Sequence, residues 1–139
     1  LLRVYSFKIE ITEDEISYKT LFHKKKISLQ EITKAEIKIG WDNPEDRKDP
    51  FHRLNIYSRS SDKPSIIIGI KPFSERDLVI LTKIITTKVS SLTTNELFIK
   101  LARGDIKPII SEGRRKIWQI ALLLLAIFLA LAIFHALRR

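Results

Sequence analysis

The sequence predicts an α+β, mainly β, chain: an antiparallel barrel or sandwich closed by a C-terminal amphipathic helix, with one transmembrane helix after it. Three observations carry this prediction. Apolar and polar residues alternate over much of the first 70 positions, the period of half-buried strands. From Ser74 the pattern changes to the 3.6-residue period of a helix. Residues 117–137 then form an apolar run in which only Gln119 and His135 are polar.

Six strands are read from the alternation. In residues 3–11, Tyr5, Phe7, Ile9 and Ile11 face one way and Ser6, Lys8 and Glu10 the other. Residues 12–15 are a polar turn. Ile16, Tyr18, Thr20 and Phe22 alternate again and complete a hairpin. Residues 23–26 read as a basic turn, Ile27 and Leu29 begin a third strand, and Ile32, Ala35, Ile37 and Ile39 mark a fourth that ends at Gly40. Residues 41–50 are a loop, with Asp42-Asn43-Pro44 and Asp49-Pro50 as turn initiators. Leu54, Ile56 and Ser58 place a fifth strand at 53–59. Three isoleucines in a row, Ile66 to Ile68, place a sixth at 65–70, buried on both faces.

The helix start is well marked. Ser74 is the expected N-cap, Asp77 completes a variant capping box, and Phe73 with Leu78 forms a hydrophobic staple. Leu78, Leu81, Ile84, Ile85 and Val89 recur at helical spacing to about residue 90. Thr93 or Thr94 is expected to cap a short second helix that ends at Gly104. Residues 105–113, with Pro108, read as a linker. The expected organisation is a domain at 1–92, a short helix and linker at 93–113, and a transmembrane helix with basic flanks at 114–139.

Residues 117–137 span about 31 Å at roughly 1.5 Å per residue, close to the roughly 30 Å hydrocarbon core of a bilayer. Arg114, Arg115 and Lys116 flank one end, Arg138 and Arg139 the other, and Trp118 stands where an interfacial aromatic belongs. These six residues are the expected membrane-interface set. Residues 102–116 carry five basic side chains and the far side two, which places the soluble domain in the cytoplasm by the positive-inside rule. Ala126 and Ala130, and Ala132 and Ala136, stand four apart. Such spacing lets helices approach closely, so homo-oligomers through the span and lipid-facing filler are both open. The lack of any Met, position 1 included, raises the expectation of an upstream segment, with Leu1 and Leu2 as the tail of an apolar one.

Composition narrows the function. Residues 1–113 hold 20 basic and 16 acidic side chains, and residues 114–139 hold five basic and none acidic. More than half of the +9 net charge therefore flanks the apolar run, which argues against nucleic acid as the partner. With no Cys there is no disulfide, thiolate zinc site or thiol nucleophile within the chain. His23, His52 and His135 share no metal-ligand spacing, and four glycines make no phosphate loop. Nothing pairs a nucleophile with a base. The reading is a non-enzymatic chain with no cofactor.

The stretches Asp14-Glu15-Ile16-Ser17-Tyr18-Lys19-Thr20-Leu21-Phe22 and Lys26-Ile27-Ser28-Leu29-Gln30-Glu31-Ile32 resemble a bacterial pleckstrin-homology-like domain of the membrane-associated type. The resemblance covers residues 7–89. Such domains read as an extended hairpin, a basic turn and two isoleucines five apart, and are often fused to transmembrane helices. The resemblance implies a seven-stranded barrel or sandwich, against the six strands read here. It also implies binding and assembly rather than catalysis. Eukaryotic relatives bind phosphoinositides through basic residues at the first hairpin turn; here that turn is Thr12-Glu13-Asp14-Glu15, whose carboxylates repel a phosphorylated headgroup.

The leading expectation is an accessory or assembly subunit whose domain docks on another membrane protein, with Trp41, Arg47 and Phe51 as the partner-binding residues. The alternative is a membrane adaptor that binds anionic lipid through Lys24, Lys25 and Lys26, each basic residue contributing about 1 kcal/mol near a negative leaflet.

Overall fold

The computed structural model describes residues 7–138, so the start of the first predicted strand at residues 3–6, Leu1 and Leu2, and Arg139 lie outside it. The described residues form two sheets and three helices. The first sheet is a meander of β1 (Lys8–Ile11), β2 (Glu15–Lys19) and β3 (Lys24–Ser28). The second has the order β6-β5-β4-β7, from β4 (Ile32–Ile39), β5 (His52–Ser58), β6 (Ile66–Gly69) and β7 (Thr93–Thr94). Each sheet is hydrogen-bonded within itself, and no ladder joins them among the described residues, so the barrel alternative gives way to two packed sheets.

One core lies between the sheets and under the helices. Ile16 and Ile27 from the first sheet, Ile37, Leu54 and Ile56 from the second, and Leu78, Leu81 and Ile85 from α1 (Glu75–Lys88) belong to it. The alternation that predicted the strands put these side chains inward, because successive strand residues face opposite sides. Ile66 and Ile68 are wholly buried, while Ile67 between them is half-buried, so β6 is less two-sided than three isoleucines imply. On α1, Ile84 is also only half-buried, and Thr82 takes the inward position by donating its hydroxyl to the Leu78 carbonyl at 2.9 Å.

Five expectations are corrected. β2 stops at Lys19, because the Thr20 amide donates to the His23 carbonyl at 2.7 Å and its hydroxyl accepts from the His23 amide at 3.0 Å. Side-chain capping of this kind turns the chain early, and Phe22 points out at 81% exposure. Lys24, Lys25 and Lys26 consequently lie on β3 rather than in a turn, opposite Lys19, Tyr18 and Ser17. Leu29 belongs to a short 3-10 helix, Leu29–Glu31, capped by the Ser28 side chain. Thr93 and Thr94 form β7, a parallel partner of β4 and the seventh strand among the described residues.

The cap of α2 (Glu96–Ala102) is Asn95 instead. Its amide replaces a peptide unit at the sheet edge. Its oxygen accepts from the Ile37 amide at 3.1 Å, its nitrogen donates to the Ile37 carbonyl at 2.7 Å, and the same oxygen caps Phe98 at 3.1 Å. The last correction is the largest. The stretch read as a linker is the beginning of α3 (Lys107–Leu137), which runs 31 residues without a break. Pro108 stands in its first turn, where its missing N–H costs nothing.

The cap of α1 is as the sequence predicts: the Ser74 hydroxyl accepts from the Asp77 amide at 3.1 Å and lies 2.6 Å from the Asp77 carboxylate. Ser74→Ala is expected to lower stability by about 1 kcal/mol, the usual cost of a lost cap. A thermal melt of the detergent-solubilised chain, followed by circular dichroism, checks this.

Candidate membrane and partner interface

The start of α3 is seated on the second sheet. Ile109 is 2% exposed and Gly113 is buried. A methyl at Gly113 would overlap the His52 ring, so glycine is needed to bring the helix this close to β5. One turn further, Lys116 bonds Asp42 at 3.2 Å, and its aliphatic stem lies over Gly40. Gly40 itself needs its hydrogen, with φ at +86° and only 2.8 Å between a built Cβ and Lys116 Cδ. Arg115 bonds Glu112 within the helix at 2.8 Å. Arg114 and Trp118 are exposed, and Arg138 lies 4.6 Å over the Phe134 ring. α3 is long and apolar enough to cross a membrane, and its apolar window is 0% buried.

The loop between β4 and β5 is held from within. Arg53 on β5 is 1% exposed, although strand alternation gives it no apolar partner. Its Nη1 donates to the Gly40 carbonyl at 2.5 Å and to the Pro50 carbonyl at 3.3 Å, tying the two ends of the loop together. Its Nη2 lies 3.2 Å from the Asp46 carboxylate, near enough for charge pairing but misaligned for a hydrogen bond. Asp46 in turn accepts from the amides of Asp42 and Asn43 at 3.2 and 3.3 Å. Sequence reasoning chose Arg47, which is exposed on the short 3-10 helix Pro44–Lys48; the guanidinium that organises the loop is that of Arg53. The only trace of this in the sequence was an arginine inside a strand pattern.

Trp41 and Phe51 are brought together as edge-to-face rings with centroids 5.2 Å apart. The Trp41 indole donates to the Asp49 carbonyl at 3.0 Å, which fixes the ring, yet 46% of the residue stays exposed. Trp41 also shares a groove of about 260 Å³ with Lys116, Gln119, Ile120 and Leu123 of α3. The loop therefore reaches beside the apolar part of the helix.

Comparison of the chain with protein-family models, curated proteins and solved structures finds no match. The site is therefore read on its own geometry. A second groove, of about 440 Å³, lies on the other side of the α3 seat, lined by Ile70, Phe73, Ile110 and Ile117 with Lys71 and Arg114 among them. Lys24, Lys25 and Lys26 are all exposed, and Lys26 is bonded to Glu15 across the hairpin at 2.6 Å. On the outer face of β4 and β5 the Tyr57 hydroxyl donates to Glu36 at 2.5 Å. Burial and this bond push the Tyr57 hydroxyl up to about 12. Burial alone would raise Glu36, but the bonds from Tyr57 and Lys34 and the charges of Lys34 and Lys38 hold it below the ordinary value.

Two outcomes follow from the α3 seat. Gly113→Ala overpacks it and is expected to cost about 1–3 kcal/mol. Faster hydrogen exchange at residues 109–113 would report the loosening, and His52→Ala in the same chain should restore much of the protection. The second outcome concerns pH. Burial disfavours the His52 imidazolium and Lys71 repels it, so His52 is held below its ordinary 6.5. The unfolded chain then takes up the proton first, and the stability this packing contributes is complete above 6.5 and lost as pH falls below it. Exchange at residues 109–113 should accelerate over that interval, and His52→Gln should remove the dependence.

Proposed function

We propose that this chain is a single-pass membrane protein whose pleckstrin-homology-like domain serves as an accessory or assembly module for another membrane protein. The observation that carries the reading is the unbroken course of α3 from its packed turns at Ile109 and Gly113 to Leu137. A flexible tether would let a domain sample many orientations. A continuous helix holds it at one height and one rotation over the bilayer, which suits a module that must meet a membrane neighbour in register. Anchoring also raises the effective concentration of the domain near such a partner.

The surface offered to the partner is the loop at residues 41–51, with Trp41 and Phe51 held rigid by Arg53. Preordered aromatic anchors suit this role, since little side-chain freedom is left to lose on binding. The apolar surface of α3, which the rest of the described chain leaves open, can meet lipid, a partner helix or a second copy. The five basic side chains at residues 102–116 support a cytoplasmic side for the domain, in keeping with the positive-inside rule. The second reading, an adaptor for anionic lipid, draws on the exposed row Lys24, Lys25 and Lys26.

The test is extraction from native membranes in mild detergent and mass spectrometry of what co-purifies in stoichiometric amount. A reproducible membrane-protein partner is expected, and recovery of the chain alone would end the accessory-subunit reading. Insertion of a flexible Gly-Ser segment after Gly113 should leave the chain in the membrane fraction but release the partner.

A further inference from the structure

We propose that the tip of the β2–β3 hairpin is a second membrane-insertion point: Leu21 and Phe22 dip into an anionic bilayer while Lys19, Lys24 and Lys25 meet its headgroups. This rests on the reading of α3 as a membrane span.

Leu21 is 60% and Phe22 81% exposed, adjacent to one another in a four-residue turn. They are large apolar side chains, and no other part of the described chain covers them. The turn is preformed. The Thr20 hydroxyl accepts from the amides of Phe22 and His23 at 3.4 and 3.0 Å, and the Thr20 amide donates to the His23 carbonyl at 2.7 Å. Backbone groups satisfied in this way lower the cost of leaving water.

The topology places this tip at the end of the sandwich from which α3 departs. Lys19, at the tip end of β2, pairs with Lys8, which shares a groove with Phe73, and Phe73 lines the groove beside Gly113 and Ile117. Gly69 pairs with Arg53, the Ile70 amide donates to the His52 carbonyl at 3.1 Å, and the Gly40 amide donates to the Phe51 carbonyl at 2.8 Å. His52 faces Gly113 and Gly40 lies under Lys116, so β2, β4, β5 and β6 all bring this end to the α3 seat. The tip runs on from Tyr18 by about 10 Å, taking roughly 3.3 Å per residue. The loop on the same end already reaches alongside Gln119, Ile120 and Leu123 through Trp41.

The hairpin differs in charge between its tip and its other turn, while the loop at 41–51 adds the carboxylates Asp42, Glu45, Asp46 and Asp49 beside the α3 seat. Lys19, His23, Lys24 and Lys25 surround the tip, and Lys71, Arg114 and Lys116 stand around the α3 seat. The opposite turn of the hairpin carries Glu13, Asp14 and Glu15, and Lys88 at the end of α1 bonds the Glu13 carbonyl there. The basic hairpin tip suits an anionic leaflet, and the acidic turn stands at the other end of β2. An anionic leaflet is the occupant this arrangement fits, because its charge matches the lysines and it is continuous with the medium that α3 enters.

The chain has no Cys, so a single introduced thiol can be labelled cleanly. The full-length chain is placed in nanodiscs of phosphatidylcholine with phosphatidylglycerol, carrying a nitroxide at Phe22→Cys, Glu13→Cys or Phe128→Cys. Leu21→Cys serves as a second tip site with Phe22 left in place. Collision with lipid-soluble oxygen and with a water-soluble nickel chelate is measured at each. Both tip labels are expected to be several-fold richer in oxygen than in nickel collisions, as position 128 is, while position 13 shows the reverse. Discs of phosphatidylcholine alone should raise nickel access at the tip several-fold. Tip labels that behave like position 13 while position 128 is shielded overturn the insertion and leave the span standing. Nickel access at position 128 overturns the span and the insertion with it. Shielding of the tip from both reagents would mean protein rather than lipid covers it, and would also overturn the proposal.

Discussion

The seat of α3 on His52 is the contact on which the arrangement depends. A helix packs on a sheet at a distance set by the side chains between them, and at Gly113 there is none. The hydrogen in place of a methyl lets the helix settle against the imidazole, with Ile109 one turn before it sealed from water and Lys116 one turn after it bonded to Asp42. Because the helix is locked over these turns and then continues, its direction through residues 117–137 is set by the domain. The consequence reaches the loop at 41–51, since Trp41 can lie alongside Gln119, Ile120 and Leu123 only while the helix keeps that direction.

The buried arginine has the complementary task. Arg53 costs desolvation that a hydrophobic residue would not, and a buried charge is tolerated when its hydrogen bonds are supplied. The carbonyls of Gly40 and Pro50 supply them, and the Asp46 carboxylate offsets the charge. The result is a loop closed at its neck by a side chain from the adjacent strand. Trp41, Phe51 and His52 follow one another in edge-on contact, at 5.2 and 5.0 Å between centroids. That chain of rings runs from the exposed loop to the helix seat, so the loop and the helix form one body.

At two element ends the sequence misled because a polar side chain bonded the backbone and reset the local pattern. Thr20 ended β2 before Phe22 could turn inward, which moved three lysines out of a turn and onto a strand. Asn95 took over the capping assigned to the threonines before it by borrowing a peptide position from β4. The linker reading of residues 105–113 had a different source, the proline at 108. Pro108 sits in a first turn and Gly113 in a tight contact, and neither breaks the helix.

The amino-acid sequence by itself determined what depends on neighbours a few residues apart. The alternation of β1, β2, β4 and β5, the Ser74 cap with its Phe73–Leu78 staple, and the apolar length of α3 were all legible. Each is set by period, hydropathy or a bond over three or four positions. Only the tertiary structure decided which ends of these elements lie together. The contacts responsible join residues far apart in the chain: Lys116 meets Asp42 across 74 positions and Asn95 meets Ile37 across 58. No local pattern encodes such a meeting, because it follows from how two sheets and a helix fill one core. Through it Trp41 and the start of the apolar helix came to lie side by side.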